Sequence, residues 1–106
     1  MTKVRIDPGI CGLKTLVTAE EDDDGGVIVK IESDCPNLNA MSKALGEEFD
    51  PYEICMTKPG KGPFYEYARN GSPLHGACPV ISGIIKCVEA ECGLALKKNA
   101  SIEFID

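Results

Sequence analysis

The chain reads as an α+β domain: an antiparallel sheet of three to four strands with helices packed on one face. Three observations predict this. Apolar and polar residues alternate through the first third, helical spacing takes over after Ser33, and alternation returns at residues 102–104. With 106 residues and no repeat or linker, the chain forms a single domain around one modest core.

Lys3 to Asp7 places Val4 and Ile6 on one face before Pro8-Gly9 ends the run, which predicts a short strand. Leu13 to Glu20 has strand composition, and Val27, Val29 and Ile31 then alternate with Ile28, Lys30 and Glu32. The acidic run Glu20 to Asp24 joins these two strands as a hairpin tip, with Gly25-Gly26 supplying positive φ. It lacks the spaced ligands and terminal Glu of a calcium-binding loop.

Helical signals follow. Asp34 or Ser33 can cap, Pro36 suits a first helical turn, and Leu38, Met41 and Leu45 recur at helical spacing before Gly46. The middle predicts a short helix after Asp50, a turn at KPGKGP and a second short helix over FYEYARNG. The longest periodic segment, 78–92, carries Val80, Ile81, Ile84, Ile85 and Val88 as one apolar stripe, with Gly93 as its C-cap. Ile102 and Phe104 flanking Glu103 predict a closing strand.

The net charge of −6, with eleven basic residues scattered, argues against nucleic acid and anionic membrane as partners. MTKVRIDPGICG has no apolar stretch behind its basic residues, and no run approaches the roughly 18 apolar residues of a membrane span. These features predict a cytoplasmic protein. In a reducing compartment structural disulfides are rare, so six cysteines point to metal ligation or redox chemistry. The plainer account of each is a small buried hydrophobe.

Cys11 lies in PGICG, where the glycines remove bulk and let a metal or substrate approach. Cys35 and Cys78 both precede proline where a helix begins, in SDCPNL and HGACPV. At such an N-terminus free N–H groups and the helix dipole favour thiolate over thiol, and proline sets the direction in which the preceding residue leaves. His75, three residues before Cys78, is a candidate fourth ligand, with Asp34 as its rival. Cys55 has no distinguishing feature. Cys87, near the edge of the apolar stripe, and Cys92, within it beside Val88, read as packing residues.

The ordered pattern of Cys-Gly opening a strand, a hairpin, Cys starting a helix, and His then Cys before a long amphipathic helix resembles the NifU N-terminal (IscU-like) iron–sulfur cluster scaffolds. Cys11 to Cys35 spans 24 residues and Cys35 to Cys78 spans 43. The resemblance implies a NifU/SufE-like fold, and Cys11, Cys35 and Cys78 as ligands of a nascent iron–sulfur cluster or a zinc ion. It also implies iron–sulfur assembly or redox proteins as partners. Leu13 stands where the scaffolds carry an aspartate, and Gly76-Ala77 separate His75 from Cys78 where their histidine directly precedes the third cysteine. The chain is also similar to a group of small bacterial and archaeal proteins with PG-x-CG, S-x-C and ACPV motifs, a likeness that implies no activity.

The first expectation is therefore a metal- or iron–sulfur-binding protein, a scaffold or carrier rather than an enzyme. Alternatives are a thiol redox protein using Cys78 or Cys35, with Cys11 resolving, and a non-catalytic interaction module whose cysteines are all core. The sequence has no phosphate-binding glycine loop, G-x-S-x-G or H-E-x-x-H.

Overall fold

A computed structural model describes residues 1–106. Strands β1 (Thr2–Ile6), β2 (Thr15–Glu21) and β3 (Val27–Ser33) are followed by α1 (Pro36–Leu45) and by β4 (Glu48–Phe49). Helices α2 (Pro51–Cys55), α3 (Pro63–Arg69) and α4 (Val80–Glu91) complete the fold. The strands form one antiparallel sheet in the order β1-β2-β3-β4. The α+β class read from the sequence is thus the observed one.

Register explains the burial. Val4 pairs with Val17 and Val17 with Ile31, while Thr2 pairs with Ala19 and Ala19 with Val29, so one face is apolar across three strands. Lys3, Arg5, Glu20, Lys30 and Glu32 have the opposite parity and are exposed. α4 covers the apolar face over β1 and β2, and α1 covers it over β3. The core joins Val17, Ala19, Val27 and Val29 to Val80, Ile84, Cys87 and Val88 of α4, with Leu38 and Met41 from α1. α2 and α3 add Ile54 and Phe64. The Phe64 ring packs on Phe49 of β4 at 4.9 Å between centroids.

The hairpin tip is tied by its own side chain, since Asp22 Oδ1 accepts from the N–H groups of Asp24 and Gly26, both at 2.8 Å. Asp50 caps α2 by accepting from Tyr52 N–H at 2.9 Å, where the sequence predicted a start. α4 ends in a Schellman turn: Gly93 takes φ 71°, and Leu94 N–H donates to Glu89 C=O at 2.8 Å.

Four readings need correction. Neither Ser33 nor Asp34 caps α1, because the N-cap is Cys35, which makes no side-chain capping bond. α4 begins at Val80 rather than at residue 78, with Pro79 as N-cap, because residues 75–78 close a turn through Cys78 N–H to His75 C=O at 3.1 Å. β4 gave no sequence signal, two residues being too few to show alternation. The closing strand at 102–104 is absent: no helix or strand follows α4, and the alternating residues have no sheet neighbour. No helix is long and apolar enough to cross a membrane.

Two contacts fix α4 on the sheet. Gly83 lies directly over Ile6, so a β-carbon at Gly83 would overlap Ile6 Cδ1 and Cγ1. At the other end Glu91 accepts from Thr2 Oγ at 2.8 Å and from Glu21 N–H at 3.1 Å. Burial opposes ionisation of Glu91, but these hydrogen bonds and the nearby amino group of Met1 outweigh it and hold the carboxyl below its ordinary value of 4.5.

Gly83→Ala should destabilise the fold by about 1 kcal/mol net, since overpacking costs about 1–3 kcal/mol and alanine returns about 1 kcal/mol of helix propensity. Denaturant midpoints should show a favourable coupling between Gly83→Ala and Ile6→Ala in a double-mutant cycle. Glu91→Gln should lower stability by about 1 kcal/mol at neutral pH. Because the folded-state pKa of Glu91 is depressed, its contribution is present above the unfolded value and fades as pH falls through the folded one. Unfolding curves of the two proteins should therefore converge in acid.

Candidate thiolate site

The six cysteines divide by environment. Cys87 is fully buried in the core, its Sγ donating to Thr2 C=O at 3.3 Å, and burial pushes its pKa up to about 11. Cys55, at the end of α2, is raised to about 11 by burial and by neighbouring Glu89 and Cys92. Cys92, the C-cap residue of α4, is raised to about 11 by burial and then by Glu21 and Glu91. The positions of Cys87 and Cys92 thus invert the sequence reading, since α4 turns Cys87 fully onto the sheet and leaves Cys92 half-buried. All three remain packing residues.

Cys11, Cys35 and Cys78 belong to segments at one end of the sheet. Ile6 pairs with Thr15 and Thr15 with Ser33, so the β1–β2 loop and the β3–α1 junction lie side by side. Asp34 N–H extends the ladder to Lys14 C=O at 2.9 Å. Gly83 over Ile6 brings the first turn of α4 to the same end, and Cys78 lies just ahead of it.

Each cysteine is held by local backbone chemistry. Gly12 N–H donates to Gly9 C=O at 2.9 Å, closing a turn with Ile10 and Cys11 at its corners. Both glycines take positive φ, and Cys11 is exposed. Cys35 is half-buried, and its N–H donates to Ser33 Oγ at 3.0 Å. Asn39 clamps the same corner, its amide nitrogen donating to Ser33 C=O at 2.7 Å and its oxygen accepting from Ser33 N–H at 3.1 Å.

Cys78 is half-buried and borders a cleft of about 210 Å³ with His75, Arg69, Tyr65, Leu74 and Ile81. His75 and Cys78 occupy the first and last positions of one turn, so the structure brings these two candidates into the same cleft. Cys11, Cys35 and the exposed Asp34 lie outside its lining. No group of three or more His, Cys, Asp or Glu side chains is drawn together closely enough to hold a metal ion. The three segments share an end of the sheet without their sulfurs sharing a point.

The model for a family of unknown function, DUF6951, matches residues 2–104. The chain belongs to this family. No curated protein and no solved structure matches it.

Arg69 and Tyr65 of this DUF6951 chain were not singled out by sequence reasoning. Their signal was the four-residue spacing in FYEYAR, which puts both on one face of α3. The Arg69 guanidinium donates to Gly60 C=O at 2.5 Å and has no carboxylate partner. A cation and an imidazole beside a thiol suit the cleft to a small anion or a metal-bound ligand.

Thiol labelling of the native chain should separate the two groups of cysteines. With a pKa of about 11, Cys55, Cys87 and Cys92 are ionised to roughly one part in a thousand near pH 8, so they should react slowly until the chain is unfolded. Exposed Cys11 should be modified first, as read by mass spectrometry of digested protein.

Proposed function

We propose that the protein binds a soft metal ion, zinc or the iron of an iron–sulfur cluster, through Cys11, Cys35 and Cys78. His75, which lines the same cleft as Cys78, is the proposed fourth ligand. The observation that carries this reading is the sorting of the cysteines. Burial raises the pKa of Cys55, Cys87 and Cys92 to about 11, while the segments that carry Cys11, Cys35 and Cys78 meet at one end of the sheet.

Binding requires the thiols to lose their protons, and three thiolates brought together repel one another unless a cation neutralises them. The Gly9–Gly12 turn, with two positive-φ glycines and exposed Cys11, is the segment that would close on the metal. Cys35 and Cys78, packed against the core, would stay as anchors. Thiolate and imidazole donors suit zinc in a tetrahedral shell, and a cluster takes the three thiolates with His75 or an exogenous thiol.

The role that follows is a small cytoplasmic scaffold or carrier working with iron–sulfur assembly or redox proteins, as the resemblance to NifU-type scaffolds implies. A second reading is supported by the cleft itself. Cys78 in one cleft with His75 and with Arg69, which has no carboxylate partner, is a setting for thiol exchange with a small anionic disulfide.

Protein purified without oxygen should carry about one zinc, or iron with a brown chromophore, per chain. Cys11→Ser, Cys35→Ser and Cys78→Ser should each lower retention at least roughly tenfold, while Cys55→Ser and Cys92→Ser should retain it. Chelation should lower the thermal midpoint of the wild-type chain. Metal-free protein that fails to load zinc or reconstitute a cluster, with its fold intact by circular dichroism, would overturn the metal reading. Rapid mixed-disulfide formation at Cys78 in that protein would establish the second.

A further inference from the structure

We propose that residues 101–106 of one chain add as a strand to the open edge of β1 in a second copy, and that two copies exchange these segments reciprocally. The sequence SIEFID has the alternation of a strand, yet it lies outside the sheet. Ile102, Phe104 and Ile105 are 91%, 96% and 95% exposed. Ile102 and Phe104, on one face of that alternation and almost wholly in water, call for a cover, while Ile105 shares the face of Glu103.

The matching surface is β1. It pairs with β2 alone, so its second row of backbone N–H and C=O groups has no strand partner. Five residues long, it spans about 17 Å, close to the length of an extended 101–106 segment. Its two faces are also chemically distinct. Thr2, Val4 and Ile6 look toward α4, while Lys3 and Arg5 are exposed on the other side.

An added strand carrying Ile102 and Phe104 beside Thr2, Val4 and Ile6 would extend the apolar face. The same alternation then puts Glu103 on the side of Lys3 and Arg5. Those two cations are free to take such a partner. Their neighbours on β2 are Thr18 and Leu16, and neither forms an ion pair within the chain. Exposed cations guard an edge against neutral strands, but they accept an acidic one, so the pattern on β1 selects SIEFID over an arbitrary apolar segment.

The occupant is a second copy rather than the same chain. The chain leaves α4 toward the β2–β3 hairpin tip and α2, where Leu94 lies with Asp22, Pro51 and Tyr52, so residues 95–100 start away from the chain's own β1 edge, and the segment stands free while that edge stays open. Reciprocal exchange about a two-fold axis satisfies both edges with one contact used twice and leaves no open edge of β1 to propagate. This pairing is independent of the proposed metal ligands.

Sedimentation of the 106-residue chain should show a concentration-dependent monomer–dimer equilibrium, with backbone amides of residues 102–105 protected from exchange in the dimer. Phe104→Asp should raise the dimer dissociation constant at least roughly tenfold, the effect of losing a buried aromatic anchor. Glu103→Lys should weaken the dimer as well, and Glu103→Lys combined with Arg5→Glu should restore it. Because residues 101–106 make no contact with the core and Arg5 is exposed on β1, these variants should keep the wild-type circular dichroism spectrum. A monomer at all concentrations would overturn the proposal, whether 101–106 exchanges freely or is protected by folding onto its own β1. A dimer of unchanged affinity in Phe104→Asp and Glu103→Lys would overturn it too.

Discussion

The close approach of α4 to β1 sets the positions of most other groups in the molecule. Because residue 83 has no side chain, the helix can settle until Ile6 fills the space a β-carbon would take. That settling brings Cys87 within reach of the Thr2 carbonyl and buries Val80, Ile84 and Val88 on the sheet. Glu91 then meets Thr2 and Glu21 at the far end, so the helix is held by apolar contact along its length and by a charged hydrogen bond at its end. Rotation or sliding of α4 would break both, and would also move the turn that carries His75 and Cys78.

The chemistry of the cysteines is a consequence of that placement. A thiol within the α4–sheet contact loses water, and that raises its pKa, as at Cys87. Thiols in the turns ahead of helices, or in a glycine-flanked loop, keep contact with solvent, as Cys11, Cys35 and Cys78 do in different degrees. α4 therefore withdraws Cys87 from solvent, while the turn ahead of it leaves Cys78 half-buried beside the cleft. α3 contributes by placing Arg69 and Tyr65 across the cleft from Cys78, giving an acidic protein a local cationic lining.

The sheet is closed unequally at its two edges. β3 is covered by β4, short as it is, and by the Val29 N–H bond to Glu47 C=O at 2.8 Å. β1 has no such neighbour, although it carries the helix contact on which the fold depends. Its exposed Lys3 and Arg5 keep that edge soluble and also give it a charge preference.

Alternation in VRI and VIVKI, the Asp50-Pro51 start, the Leu38 and Met41 spacing and the stripe of α4 were legible in the sequence because each depends on a local period or on the chemistry of a few adjacent residues. The candidate ligands were legible for the same reason: glycine flanks and following prolines are local marks. Other features depend on neighbours distant in the chain. The two residues of β4 count as a strand only because Val27 and Ile28 lie beside them, and residues 102–104 have the right alternation and no neighbour. The depth of Cys87 relative to Cys92 follows from which side of α4 meets the sheet, decided by Gly83 and Ile6 rather than by the helical period. The sequence by itself determined which segments could be helix or strand and which cysteines stood in unusual local settings. Only the tertiary structure decided which sulfurs lost their water, which segments met at one end of the sheet and which strand edge stayed open, because burial and pairing belong to contacts between elements and not to any one of them.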